Sequence, residues 1–126
     1  GHTGNDRLKG NGGHDRLYGG NGDDRLLGGG GRDQLFGGDG DDYLDGGPGR
    51  DKLTGGAGAD VFIFRENSNV DRVLDFELGT DRVHVDDPDL VTLTDVNGNA
   101  ALMLGDALLV LNGVDAADVV LDTVLV

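Results

Sequence analysis

Aspartate recurs at every ninth residue through the first half of the chain, as Asp6, Asp15, Asp24, Asp33, Asp42, Asp51 and Asp60. Two residues after each stands an apolar side chain: Leu8, Leu17, Leu26, Leu35, Leu44, Leu53 and finally Phe62. Evenly spaced carboxylates are ligands for a hard cation. The chain has no cysteine, and none of its 3 histidines holds a regular ligand position, so the donors are oxygen only. Such a set, completed by backbone carbonyls that glycine leaves exposed, suits an ion taking six to eight oxygens at about 2.3–2.6 Å. That ion is calcium rather than zinc.

The elements that position these carboxylates follow from the rest of the unit, written GGNGDDRLL or GGDGDDYLD in its fullest copies. Glycine at positions one, two and four permits left-handed and other tight backbone conformations. The x-Leu-x that follows is long enough for one short strand with its central side chain on one face. Turn, strand, turn, strand then builds a flattened right-handed coil of parallel strands, two repeats to each turn. Leucines from both walls meet inside. Aspartates stack along two turn edges, about 4.7–4.9 Å apart. Carboxylates that close repel one another unless a cation lies between them. The expected pairs are Asp6/Asp24, Asp24/Asp42 and Asp42/Asp60 on one edge and Asp15/Asp33 and Asp33/Asp51 on the other, at most five sites.

With 24 acidic against 10 basic residues, a net charge of −14 argues against direct binding to nucleic acid or anionic membranes and for cations as partners. No apolar run reaches the roughly 18 residues a membrane span needs. No N-terminal signal sequence is present, and the chain begins directly on a repeat, which points to the C-terminal piece of a longer protein. A search for catalytic motifs returns nothing: no H-E-x-x-H, no G-x-S-x-G, no phosphate-binding loop, and one serine, Ser68, in a turn context. The expectation is a module without catalysis of its own.

Composition changes near residue 60, with 21 of the 25 glycines before it. The expected division is 1–63 for the repeats and 64–126 for a capping region in one continuous unit. The second half reads as strands at 61–64, 71–76, 81–85, 90–96, 100–104, 107–111 and 118–126, with one helical turn within 115–120. Asn97-Gly98 is a hairpin signal, and Leu78-Gly79-Thr80 and Leu111-Asn112-Gly113 mark further turns. Val61 to Phe64 follow the last repeat without a break, so this half is expected to continue the roll and cap it. The fold class is therefore all-β: a parallel β-roll capped by a sandwich-like antiparallel region.

The nonapeptide pattern over residues 1–63 resembles that of the RTX family of exported bacterial proteins, whose members include serralysin-type proteases, lipases and alginate epimerases. The resemblance implies a calcium-loaded β-roll in a secreted protein. It implies carboxylate ligands at position six and carbonyl ligands from Gly10, Gly12, Gly19, Asn21, Asp23, Gly28, Gly30, Gly37, Asp39, Asp41, Gly46 and Pro48. His2 and Asn11 replace the second glycine of the pattern, and histidine tolerates left-handed backbone less well than asparagine. The pattern is therefore weakest at the Asp6/Asp24 site.

"DRVLDFELGTDRVHV" and "LLVLNGVDAADVVLDTVLV" resemble the region that follows such repeats in type I secreted proteins. By that resemblance Asp71, Asp75 and Asp81 add calcium ligands. The terminal "DTVLV" resembles an uncleaved signal read by an ABC-type secretion channel. Residues 1–60 hold 11 acidic and 7 basic groups, net −4, so five calcium ions would reverse their sign. Arg7, Lys9, Arg16 and Arg25 would then favour an anionic polysaccharide such as alginate, which some epimerase modules of the family bind.

Overall fold

The computed structural model describes residues 1–125. Six-residue strands β1 (Arg7–Gly12), β2 (Arg16–Asn21), β3 (Arg25–Gly30) and β4 (Gln34–Asp39) are followed by β5 (Tyr43–Asp45), β6 (Lys52–Ala57), β7 (Val61–Ile63), β8 (Val70–Val73) and β9 (Arg82–His84). From β1 to β7 each pairs in parallel with the strand two further on. Odd strands form one sheet in the order β1-β3-β5-β7-β9; even strands form the opposite wall, β8-β6-β4-β2. The register keeps the repeats in phase at two per turn, Leu8 beside Leu26, Leu26 beside Leu44 and Leu44 beside Phe62, and then sets Phe62 beside Val83. On the other wall Leu17, Leu35, Leu53 and Val73 align. These side chains face inward, and Leu26, Leu35, Leu44, Leu53 and Phe62 are completely buried.

Most roll strands are longer than the three residues expected, because the first glycines of the next repeat stay in the ladder, as in Gly20 beside Gly38. The three glycine positions also differ in purpose. Positions two and four are left-handed, as in Gly29 (φ 99°) and Gly31 (φ 127°); Asn11 adopts φ 76° in place of glycine, whereas His2 does not take the left-handed form. Position one is not left-handed; glycine is required there for space.

The roll outlasts its repeats, since β8 and β9 add a further turn after the glycine pattern has ended. Three antiparallel strands, β10 (Thr92–Val96), β11 (Asn99–Leu104) and β12 (Ala107–Leu111), then extend the even wall through a parallel β12–β8 pairing. Asn97 (φ 52°) and Gly98 (φ 84°) make the β10–β11 hairpin turn as expected, both in the left-handed conformation such a turn requires. The other two turn signals do not make hairpins. Gly79 lies between β8 and β9, which belong to different walls, and Gly113 follows the last strand. The β11–β12 hairpin turns at Gly105 and Asp106 instead.

A short 3-10 turn at Ala116–Asp118 supplies the expected helical turn, with the Asp115 side chain accepting from the Ala117 N–H. The final stretch is not a strand. It forms a helical turn, α1 (Leu121–Val124), that buries Val124, and then a single bridge from Leu125 to Val83. On the side away from β7, the three-residue β9 carries that one bridge among the described residues. Val126, the last residue of the expected signal, lies outside the described residues.

Candidate metal centre

The two edges of the roll carry the seven repeat aspartates in two columns. Within each column the carboxylate of one turn accepts, through Oδ1, the backbone N–H of the aspartate one turn before. Asp24 accepts from Asp6 at 2.7 Å, Asp42 from Asp24 at 2.8 Å and Asp60 from Asp42 at 2.9 Å. On the other edge Asp33 accepts from Asp15 at 2.8 Å and Asp51 from Asp33 at 2.7 Å. All five expected pairs are thus neighbours.

In Asp24, Asp33, Asp42, Asp51, Asp60 and Asp71 one hydrogen bond orients the carboxylate and leaves its second oxygen over. The Oδ2 atoms of Asp6, Asp15, Asp24, Asp33, Asp42, Asp51, Asp60 and Asp71 are buried without a hydrogen-bond partner. A lone buried acceptor costs about 1–3 kcal/mol, and more when charged. Eight in two files are not tolerable without a counter-charge. Position one of each repeat contributes the facing donor. A Cβ on Gly28 would sit 2.6 Å from Asp33 Oδ2 and 2.6 Å from the Gly46 carbonyl, and one on Gly10 would meet Asp15 Oδ2 and the Gly28 carbonyl at 2.5 Å. Glycine therefore keeps open a cradle lined by a carboxylate oxygen and the carbonyl of the next turn.

Position-three carbonyls are partly engaged: Gly30, Asp39 and Pro48 accept from the N–H groups of Gly13, Gly22 and Gly31. Each retains a second lone pair. Among the described residues no three His, Asp or Glu side chains converge as a metal-binding group. A cation here draws on carboxylates from two turns and on the backbone. That donor chemistry fits calcium and not a softer metal.

The three added aspartates divide. Asp71 continues the Asp15 column, accepting from the Asp51 N–H at 2.9 Å and keeping an orphan Oδ2. Asp81 continues the other column, accepting from Asp60 at 3.0 Å, but its second oxygen takes the Glu77 N–H. Asp75 receives Gly55 N–H and Gly56 N–H, one on each oxygen, both at 2.8 Å. Asp75 and Asp81 thus occupy backbone donors that a further turn would have paired.

A second ladder escaped sequence reasoning. Position-five side chains accept from the position-five N–H of the next turn: Asn5 from Asp23, Asp23 from Asp41, Asp41 from Ala59, and His14 Nδ1 from Arg32. Its signal was the polar residue that precedes most of the repeat aspartates, which varies too much in type to stand out.

Burial pushes the stacked carboxyls up, and their like-charged neighbours add to it. Asp42 and Asp51 rise to about 6, Asp60 to about 7 and Asp71 to about 8; Asp33 and Asp81 rise as well. Because these values exceed those of the unfolded chain, the proton-bound form favours the fold. The contribution is complete below about pH 4 and is lost as pH rises through about 6 to 8. In chelator, acidification from pH 8 to pH 4 is therefore expected to increase β structure, measured by circular dichroism. Over the same range calcium affinity is expected to fall, as protons compete for the same oxygens.

On the walls, Arg7 and Arg25 are neighbours, with Lys9 beside Leu27, and the Arg25 guanidinium lies 4.4 Å over the Tyr43 ring. Arg16 stands on the opposite wall, so the four basic residues do not form one patch. There Tyr18 and Phe36 stack at 4.8 Å, next to a row made by Arg16, Gln34 and Lys52.

A family model for the RTX calcium-binding nonapeptide repeat matches residues 1–35, 27–62 and 36–69. The fold is similar to the solution structure of the AlgE6R3 subunit from the Azotobacter vinelandii mannuronan C5-epimerase, at 30% identity and TM-score 0.61, covering all of this chain and 80% of that one. The AlgE6R2 subunit of the same enzyme is similar at 28% identity and TM-score 0.64, over 94% of this chain and 89% of that one. The extracellular lipase LipA from Serratia marcescens shares the fold at 16% identity and TM-score 0.52, over 98% of this chain and 38% of the lipase. No curated protein sequence matches. Repeat, register and paired carboxylates agree with these matches: the chain belongs to the RTX calcium-binding nonapeptide-repeat family.

Proposed function

We propose that this chain is a calcium-folded module of a larger exported protein, unstructured at low calcium and closing on several ions outside the cell. The observation that carries this reading is the double file of buried, unpartnered carboxylate oxygens. Bound calcium supplies the positive charge that lets them pack. The proposed ligands are Asp6, Asp15, Asp24, Asp33, Asp42, Asp51, Asp60 and Asp71, with glycine carbonyls from position one, giving six sites: the five expected pairs and Asp51/Asp71. Asp75 and Asp81 are proposed to end the columns through the N–H groups they accept. Residues 1–63 supply nearly all of the ligands, and the remainder closes the far end.

A chain that stays extended at intracellular calcium can pass a secretion channel and fold beyond it, at the 10⁻⁴–10⁻³ M at which extracellular modules load. The test is export of a reporter fused upstream, through a type I channel. Deleting residues 122–126 is expected to abolish export while leaving calcium binding intact; unchanged export removes the signal from the reading.

The Tyr18–Phe36 stack beside a basic row favours a second role, calcium-dependent binding of an anionic polysaccharide on the even wall. The similar epimerase modules belong to an enzyme whose name specifies mannuronan. Retention on an immobilised polyuronate that needs both calcium and Tyr18 supports that role; no retention in calcium refutes it.

A further inference from the structure

The two edges of the roll are electrically unequal. The turns of the Asp6 edge (residues 1–6, 19–24, 37–42, 55–60 and 74–81) hold ten acidic side chains and no lysine or arginine. Those of the Asp15 edge (10–15, 28–33, 46–51 and 64–71) hold five acidic side chains and three arginines, one of which, Arg65, pairs with Asp45 at 3.2 Å. The difference is concentrated at position five. On the Asp6 edge position five carries Asn5, Asp23 and Asp41, which accept in that ladder; on the other it carries His14, which accepts from the Arg32 N–H, then Arg32 and Arg50, whose guanidinium groups only donate. Wall residues do not offset it, since Arg7, Arg25 and Arg82 follow the aspartates of one edge and Arg16, Lys52 and Arg72 those of the other.

We infer that the two edges form two classes of calcium site, the Asp6 edge binding first and the Asp15 edge about tenfold or more weakly. This rests on the calcium reading above, with three sites on each edge. The ligands are alike on both edges, so the difference comes from the neighbouring charges, which raise or lower the local cation concentration and are screened beyond about 8–10 Å at physiological salt. Asp23 and Asp41 stand directly before the ligands Asp24 and Asp42; Arg32 and Arg50 stand directly before Asp33 and Asp51. The consequence is a polarised product: filling three sites takes the Asp6 edge from −10 to −4 and the Asp15 edge from −2 to +4, counting the side chains named above.

Calorimetric calcium titration of the whole chain at low ionic strength, with two paired variants, decides it. Arg32→Asp with Arg50→Asp places on the weak edge the residue type that the other edge already accommodates. Asp23→Asn with Asp41→Asn keeps an acceptor in the ladder, as Asn5 does, and removes charge. Two phases of three ions each are expected. The arginine pair is expected to tighten the weak phase about tenfold and the asparagine pair to weaken the tight phase comparably, with the gap narrowing as salt rises. A single phase in which all six ions bind together overturns the inequality between the edges, whichever way the variants move its midpoint. Phases that neither variant moves overturn the inference while leaving calcium binding in place. Absence of any binding overturns both.

Discussion

Asp42→Asn is expected to raise the calcium concentration needed for folding about tenfold for each of two sites, because Asp42 faces Asp24 on one side and Asp60 on the other. The amide keeps an oxygen for the Asp24 N–H, so the hydrogen-bond ladder survives and only charge is lost. Asp71→Asn, at the end of its column, is expected to cost one site and about half the free-energy change. In chelator the sign differs. Asp42 is 1% exposed and its carboxyl is raised to about 6 by burial, so removing its charge relieves repulsion and does not weaken the β structure that acid induces there. Calcium titrations of the three proteins, followed by circular dichroism, measure both effects. A merely structural aspartate would give the same loss with and without calcium.

Gly28→Ala is expected to remove at least one ion, whereas Gly30→Ala two residues later leaves the stoichiometry intact. Neither glycine is left-handed, so strain does not separate them. Space does: a methyl at Gly28 falls between Asp33 Oδ2 and the Gly46 carbonyl, and a methyl at Gly30 meets nothing within 4 Å. Gly30→Ala is expected to be neutral or to stabilise by about 0.4–1 kcal/mol through the unfolded chain. Calorimetric stoichiometry of the two variants checks the contrast. Equal losses would mean that position one is glycine for a reason other than the cradle.

Seven aspartates and seven apolar residues in phase made the roll and its register legible before any coordinates, because a strict period leaves one way to stack the chain. The five carboxylate pairs followed from the same period. Strand length did not, since glycines in an extended ladder and glycines in a turn are indistinguishable by type. The fates of Asp71, Asp75 and Asp81 were equally hidden. Their spacings to the preceding column members are 20 and 21 residues for the two that continue a column, so no period places them. Whether each carboxylate keeps a free oxygen depends on which N–H groups the last turn leaves unpaired. The final apolar stretch reads as a strand by composition, yet among the described residues it makes one bridge to β9, and burial of Val124 takes precedence.

The central claim is that at neutral pH the carboxylate files close only around calcium. Circular dichroism of the whole chain at neutral pH, from excess chelator through millimolar calcium, tests it most directly, with ions counted by calorimetry in parallel. The account predicts a coil spectrum in chelator, a transition to β structure at submillimolar to millimolar calcium, and about six ions per chain. A β spectrum already complete in chelator, with no heat of calcium binding, would contradict it.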